Sequence, residues 1–312
     1  MAIYDTIIIG GGSSGFSTAM YAGRLNLKTL VICENVGGTL AIAGKIENWP
    51  GIKSIDGYEL VEQIKEHAKE YDIEIVEKKV ISVEKKKDNF FVKVDGSQYE
   101  TKTVVFATGT KVRKLGVPGE EQYANKGVHY CALCDGPLYK GKILGVVGGS
   151  DSAIKEALFL ADYGSKVYII YRGDKLRAEP VNMERVEQKI KSGKIEVLYD
   201  TNITEILGDG KKVNKIVLDK SYNKSKELDI DGLFVEIGHI PLSDLAKSLG
   251  VKLNDKNEII IDRSAKTNVS GIFAAGDVVD TSFKQAITGS AEGILAAYVA
   301  YEYVSALDSK KK

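Results

Sequence analysis

The chain has 312 residues, with 43 basic and 43 acidic side chains and a formal net charge of zero. That balance argues against a nucleic-acid or membrane-surface partner bound through a charged face, and no apolar run approaches the ~20 residues needed to span a bilayer. Three cysteines are too few for a disulfide scaffold, so the expected compartment is the cytosol, where a cysteine pair can cycle.

A first strand, Tyr4 to Ile9, is β-branched and apolar and reads as buried and parallel. It starts so early that a cleaved leader would remove the phosphate loop, so none is expected. The strand runs into Gly10-Gly11-Gly12-Ser13-Ser14-Gly15, which fits GxGxxG with glycines at 10, 12 and 15. Gly10 permits the tight turn, Gly12 lets the backbone approach a pyrophosphate, and Gly15 lets the next helix pack close. That helix runs to about Leu25, and its free N–H groups and dipole favour phosphate. A second strand ends at Glu34, nineteen residues after Gly15, where an acid accepts hydrogen bonds from an adenosine ribose.

Gly37-Gly38-Thr39-Leu40 and Ile46 to Gly51 read as loops able to lie along an extended cofactor, with Trp49 as a packing residue. Tyr58 to Tyr71 has helical spacing, and Ile73 to Tyr99 alternates like a small antiparallel sheet. Thr103 to Ala107 is a buried strand stopping at Thr108-Gly109. Leu115 to Val128 is loop-like, with Val117-Pro118-Gly119-Glu120 as a turn and linker.

Cys131-Ala132-Leu133-Cys134-Asp135-Gly136 follows. A CxxC pair is redox-active when one thiolate is stabilised by its neighbour and by a helix N-terminus, and Asp135 is placed to move protons. The rival readings are half a zinc site or two inert buried thiols. Zinc needs a second pair, and Cys33 stands alone about a hundred residues away, so no metal is expected. Then strand–loop–helix repeats: Lys142 to Val147, Gly148-Gly149-Ser150-Asp151-Ser152-Ala153, and a helix to about Asp162. This implies a second dinucleotide site, with Ser150 in place of the middle glycine. Its second strand ends at Arg172, with Lys175 and Arg177 behind it. Guanidinium there suits a 2′-phosphate, so NADPH is favoured and NADH stays open; a plain basic surface turn is the alternative. Met183 to Lys191 is helical. Strands follow near 195–199, 202–207, 215–218, 231–238, 258–262 and 271–275, before a helix over Lys284 to Leu307. His67, His129 and His239 show no metal or triad spacing and read as packing or surface residues.

Together these marks resemble the low-molecular-weight, flavin-dependent thioredoxin reductases over essentially the whole chain. The most specific are Cys131 to Gly136 between two nucleotide folds, Glu47-Asn48-Trp49-Pro50-Gly51, and Gly271 to Asp277 followed by Gln285-Ala286-Ile287-Thr288. The resemblance implies an α/β chain of two Rossmann-like domains, the second inserted into the first: 1–113 with 242–312 for FAD, and 114–241 for NADPH and the disulfide. It implies FAD contacts at Gly10 to Gly15, Glu34, Gly37, Gly38, Thr39, Leu40, Asn48, Thr108 and Gly109. It further implies Gly276-Asp277 at the ribityl chain and Lys284, Gln285 and Ala286 at the pyrimidine edge, where the family has arginine for Lys284. In the coenzyme fold, Ser150 and Gly173 depart from the family pattern, leaving Arg172 and Arg177 of its basic signature.

The expected activity is passage of electrons from NAD(P)H through FAD and Cys131–Cys134 to thioredoxin or a thioredoxin- or glutaredoxin-like protein. By resemblance Cys134 faces the flavin, Cys131 attacks the partner, Asp135 supplies the proton, the crossings near 114 and 241 form a hinge, and the chain is a homodimer. The alternatives are another donor such as ferredoxin, another acceptor such as a peroxiredoxin, or a flavin redox sensor without turnover.

Overall fold

The structure, a computed structural model, describes residues 3–43 and 45–309. The chain divides into two compact units, Met1–Lys111 with Ile240–Lys312, and Val112–His239.

The first unit opens with β1 (Ile3–Gly11), in which Ile7 and Ile9 enter one core and Ile8 the core on the opposite face. That alternation is what a strand covered on both sides requires. After α1 (Ser13–Arg24), β2 (Thr29–Val36) lies parallel to β1. A 3-10 turn over Gly38–Ile42 and a hairpin of β3 (Lys45–Ile46) and β4 (Ile55–Asp56) lead to α2 (Gly57–Lys69). Asp56 caps α2 by accepting the Tyr58 N–H.

β5 (Ile73–Glu77) corrects the sequence reading: it pairs parallel with β2 and takes no part in an antiparallel ribbon. It follows a helix long enough for a crossover, and its Ile73 and Ile75 pack on the core beneath α1 and α2. The antiparallel strands are β6 (Val80–Lys86), β7 (Asn89–Val94) and β8 (Ser97–Phe106). β8 is one strand where the sequence suggested two, its first half paired with β7 and its second with β1. It stays continuous because its buried threonines are satisfied: Thr101 Oγ1 donates to Thr103 O (2.9 Å) and Thr103 Oγ1 to Asp5 O (2.8 Å).

The chain leaves through β9 (Thr110–Val112). In the second unit come β10 (Val128–His129), α3 (Ala132–Asp135), β11 (Ile143–Val147), α4 (Asp151–Tyr163), β12 (Lys166–Ile170), α5 (Pro180–Lys191) and β13 (Ile195–Leu198). β14 (Ile203–Gly208), β15 (Val213–Tyr222) and β16 (Ser225–Asp229) form an antiparallel sheet, and β17 (Gly232–Val235) completes a parallel one ordered β10-β17-β11-β12-β13. β16 escaped the sequence reading because only Leu228 of its five residues is buried. Its hairpin is made by Asn223 and Lys224, both left-handed (φ 49° and 70°), as a two-residue turn demands.

Val117–Glu120 is no free linker. Pro118 O accepts the Ile206 N–H (2.9 Å), and buried Glu120 accepts from the Leu115 and Gly116 N–H groups and the Tyr130 hydroxyl. The chain returns as β18 (His239–Pro241), paired with β9, and α6 (Asp244–Lys247) follows. Residues 258–262 form no strand; Ile259 makes only isolated bridges, to Leu253 and Val279. β19 (Ile272–Ala274) lies beside β8, and α7 (Ala286–Ser309) packs on α1. A Cβ at Gly293 would stand 2.5 Å from Ser14 O and 2.6 Å from Thr18 Oγ1, so only glycine permits this approach.

Candidate active site

In the second unit, Cys131 and Cys134 form a disulfide with a Cα–Cα distance of 5.4 Å. Cys131 sits at the N-cap of α3, and its Sγ accepts the Cys134 N–H at 3.2 Å. Asp135 closes this single turn, with Oδ2 2.9 Å from His129 Nδ1. His129 is buried, stacks on Phe234 at 5.3 Å, and its Nε2 lies 2.7 Å from the Tyr139 hydroxyl. The sequence reading missed this role. Its one signal is position, two residues ahead of Cys131 at the end of a buried strand.

A second omission lies behind α3. Glu156 of α4 accepts the Ala132 N–H with Oε1 at 3.1 Å. Beside it is Glu236, 8% exposed, just past β17. Burial pushes both carboxyls well above the usual range, and Glu156 raises Glu236 further. Neither stands out in sequence, since 80 residues separate them. The third cysteine, Cys33, is buried, and desolvation pushes its thiol up to about 11, which makes it inert.

The first unit brings most of the implied flavin residues to one end of β1. Gly10 (φ 121°) turns against the Ala107 carbonyl, where a Cβ cannot fit, and Gly15 is likewise held against the Gly10 carbonyl. A Cβ at Gly12 would meet nothing nearer than Gly37 O at 3.8 Å, so the loop is open where a pyrophosphate would approach. Gly12 caps α1 with no side-chain hydrogen bond, leaving the N–H groups of the Ser13–Ser14 turn for an anion. Gly37 N–H donates to Gly11 O (2.7 Å), which folds Gly37-Gly38-Thr39-Leu40 back onto the loop. Among the described residues, exposed Glu34 has only a distant partner, Lys79 at 3.8 Å. Asn48 donates to Gln285 (2.9 Å), joining segments 237 residues apart next to Ala286 at the start of α7. Gly109 (φ 63°) faces open space, and the Thr108 hydroxyl is spent on Leu242 O. Gly276 donates to Glu292 and presses on Ser14, while no described side chain hydrogen-bonds or pairs with the Asp277 carboxylate. Lys284 pairs with Glu258 (3.1 Å) and donates to the carbonyls of Asp277 and Val279, so it fastens this loop. An open glycine cradle, an available acid at Glu34 and a free carboxylate at Asp277 fit a flavin dinucleotide.

The second glycine loop is built the same way, with Gly148 (φ 141°) against the Glu236 carbonyl. Gly149 and Gly173 both face the ring of Tyr171. Exposed Ser150 caps α4 in extended geometry (φ −85°), which any residue adopts, and Ser152 is exposed in the first turn. Asp151 is committed to structure: it accepts from Glu179 N–H and Asn182 and pairs with Lys155. Arg177 is fixed beside the loop, its N–H bonded to Gly149 O (2.8 Å) and its guanidinium to the Tyr171 hydroxyl (2.9 Å). Arg172 is exposed at the strand end. The site fits a pyridine nucleotide. Among the described residues, no cluster of three or more His, Cys, Asp or Glu side chains suits a metal, and no helix is long and apolar enough to cross a membrane.

Two glycine-loop dinucleotide folds and a Cys-x-x-Cys disulfide define a pyridine nucleotide-disulphide oxidoreductase, and the profile of that family matches residues 4–293. Thioredoxin reductase of Bacillus subtilis (strain 168) is 38% identical over 312 residues, spanning 99% of this chain and 98% of that protein. Crystal structures of thioredoxin reductase from Lactococcus lactis (TM-score 0.91, 36% identity) and T. acidophilum (TM-score 0.89, 34% identity) each cover 97% of this chain and 99% of theirs. The chain belongs to this family and, within it, to the thioredoxin reductases; it is a flavoprotein disulfide reductase.

Proposed function

We propose that this chain reduces the disulfide of thioredoxin, or of a thioredoxin- or glutaredoxin-like protein, using FAD in the first unit and NADPH in the second. The observation that carries the reading is the Cys131–Cys134 disulfide, with its neighbouring acid Asp135 set on buried His129. A bound FAD supplies two-electron transfer between a pyridine nucleotide and a disulfide. The chain's residues do the rest. The Gly10–Gly15 loop and α1 hold the pyrophosphate, Glu34 the ribose, and Asp277 the ribityl chain. In the reduced enzyme the Cys131 thiolate attacks the partner's disulfide, and Asp135 protonates the departing partner thiolate. Cys134 then attacks the mixed disulfide, releasing the partner as a dithiol and restoring Cys131–Cys134. A cytosolic homodimer belongs to the same proposal.

NADPH is favoured over NADH by Arg172 and Arg177. Ser150 and Gly173 favour a second reading, in which another reduced carrier replaces the pyridine nucleotide. Anaerobic stopped-flow absorbance with NADPH, NADH and reduced ferredoxin separates them. Rapid flavin bleaching by NADPH, retained in a Cys134→Ser variant that no longer turns over thioredoxin, is the expected result. Bleaching only by ferredoxin overturns the donor, and undiminished turnover by the variant overturns the disulfide's role.

A further inference from the structure

We propose that the Glu156–Glu236 pair is a proton acceptor coupled to the Cys131–Cys134 disulfide, taking up one proton when that bond receives two electrons; this rests on the redox reading of the disulfide above.

The pair is placed for it. Glu156 Oε1 holds the N–H of Ala132, the residue joined to Cys131 and 1% exposed. Glu156 Oε2 is buried and meets no donor among the described residues, while the Glu236 carboxyl lies against it. Two carboxylates offer acceptors only, and burying both as anions is prohibitive. One shared proton resolves this, because it turns one carboxyl into a donor. Glu156 already accepts from Ala132, so it holds the charge and Glu236 the proton.

Among the described residues, the lysines of the neighbouring elements are engaged elsewhere. Lys155 is taken by Asp151 (2.7 Å) on α4, Lys189 of α5 by Asp162 (2.7 Å), and Lys166 of β12 by Glu196 (2.8 Å). On the redox side, Asp135, His129 and Tyr139 engage one another. When the disulfide takes two electrons the sulfur–sulfur bond breaks, one sulfur becoming a thiol and the other a thiolate. That new negative charge arises in the turn whose Ala132 N–H Glu156 holds, so the pair binds a second proton from solvent. Disulfide, two electrons and two protons thus give thiol, thiolate and a doubly protonated pair.

The test is a thiol–disulfide equilibrium of the full-length flavin-bound protein in dithiothreitol redox buffers across pH, with Cys131 and Cys134 counted by alkylation and mass. Burial raises both carboxyls above the usual range, Glu236 further than Glu156, so the second proton is missing before reduction only where the pH exceeds the lower of the two. There the wild-type equilibrium constant for reduction falls an extra tenfold per pH unit relative to E156Q/E236Q, about 30 mV. E156Q alone, whose amide oxygen can still accept from Ala132, removes the group that takes the second proton, shows the same flattening and guards against misfolding of the double variant. A purely structural role moves the curve without changing its slope, so parallel curves overturn the proposal. A wild-type disulfide that fails to equilibrate with dithiothreitol at any pH overturns the redox reading, and the proposal with it.

Discussion

Gly293 is where α7 meets α1, and replacing it with valine tests how the C-terminal segment completes the first unit. Its Cβ would lie 2.5 Å from Ser14 O, against an ordinary contact starting near 3.4 Å, so α7 must withdraw by about 0.9 Å. A gap of that size forfeits a quarter to a half of the dispersion attraction along the contact, and overpacking of this kind costs about 1–3 kcal/mol. The Thr18 hydroxyl bond to Ser14 O (2.7 Å) is disturbed as well, at about 1 kcal/mol. Against this, valine's better helix propensity returns only a few tenths of a kcal/mol. The net expectation is a loss of about 2–3 kcal/mol in urea unfolding, followed by the single tryptophan, Trp49, in the same unit. Ser14 also sits in the proposed pyrophosphate turn, so flavin retention on ultrafiltration falls with it. Glu302→Gln, exposed on the same helix, changes neither. A Gly293→Val protein with wild-type unfolding and flavin content would refute the close-packing argument.

His129→Leu keeps a buried apolar body on Phe234 but removes both polar contacts. Thioredoxin turnover should drop about 10- to 100-fold, part of what a positioned acid contributes, while flavin reduction stays intact; His129→Asn, which can donate to Asp135, should recover some of it. Equal loss in both variants would mean that His129 only fills space. Stability should depend on pH through the glutamate pair. Their folded pKa values are raised above the unfolded value of about 4.3, so the native chain holds protons that the unfolded chain releases. That stability is complete at lower pH and is lost as pH rises from about 5 towards 9, at up to about 1.4 kcal/mol per pH unit for each proton. Urea titrations of wild type and E156Q/E236Q should diverge in that sense; parallel pH dependence would remove the linkage.

Local chemistry was readable without coordinates. Gly10, Gly12, Gly15 and Glu34 are tied by short, regular spacings, and Cys131 and Cys134 by a single turn, so adjacency in sequence implied adjacency in space. Strands whose partners are distant were less legible. β5 alternates like a ribbon strand yet pairs with β2, because the crossover through α2 and the core beneath it outweigh its own pattern. β16 was hidden by four unburied residues. Lys284 carries no mark of its ion pair with Glu258, which depends on where the loop after β19 places its ammonium. The acids behind the disulfide needed the tertiary structure most. A glutamate's sequence says nothing of its solvation, and only the packing of α4 against α3, with β17 ending beside them, removes Glu156 and Glu236 from water and sets them side by side. The amino-acid sequence alone determined the phosphate loops and the redox pair, because their geometry is built within a few residues. Which carboxyls share a proton, and which histidine holds Asp135, was decided by long-range burial, since desolvation and charge proximity exist only once the chain has closed on itself.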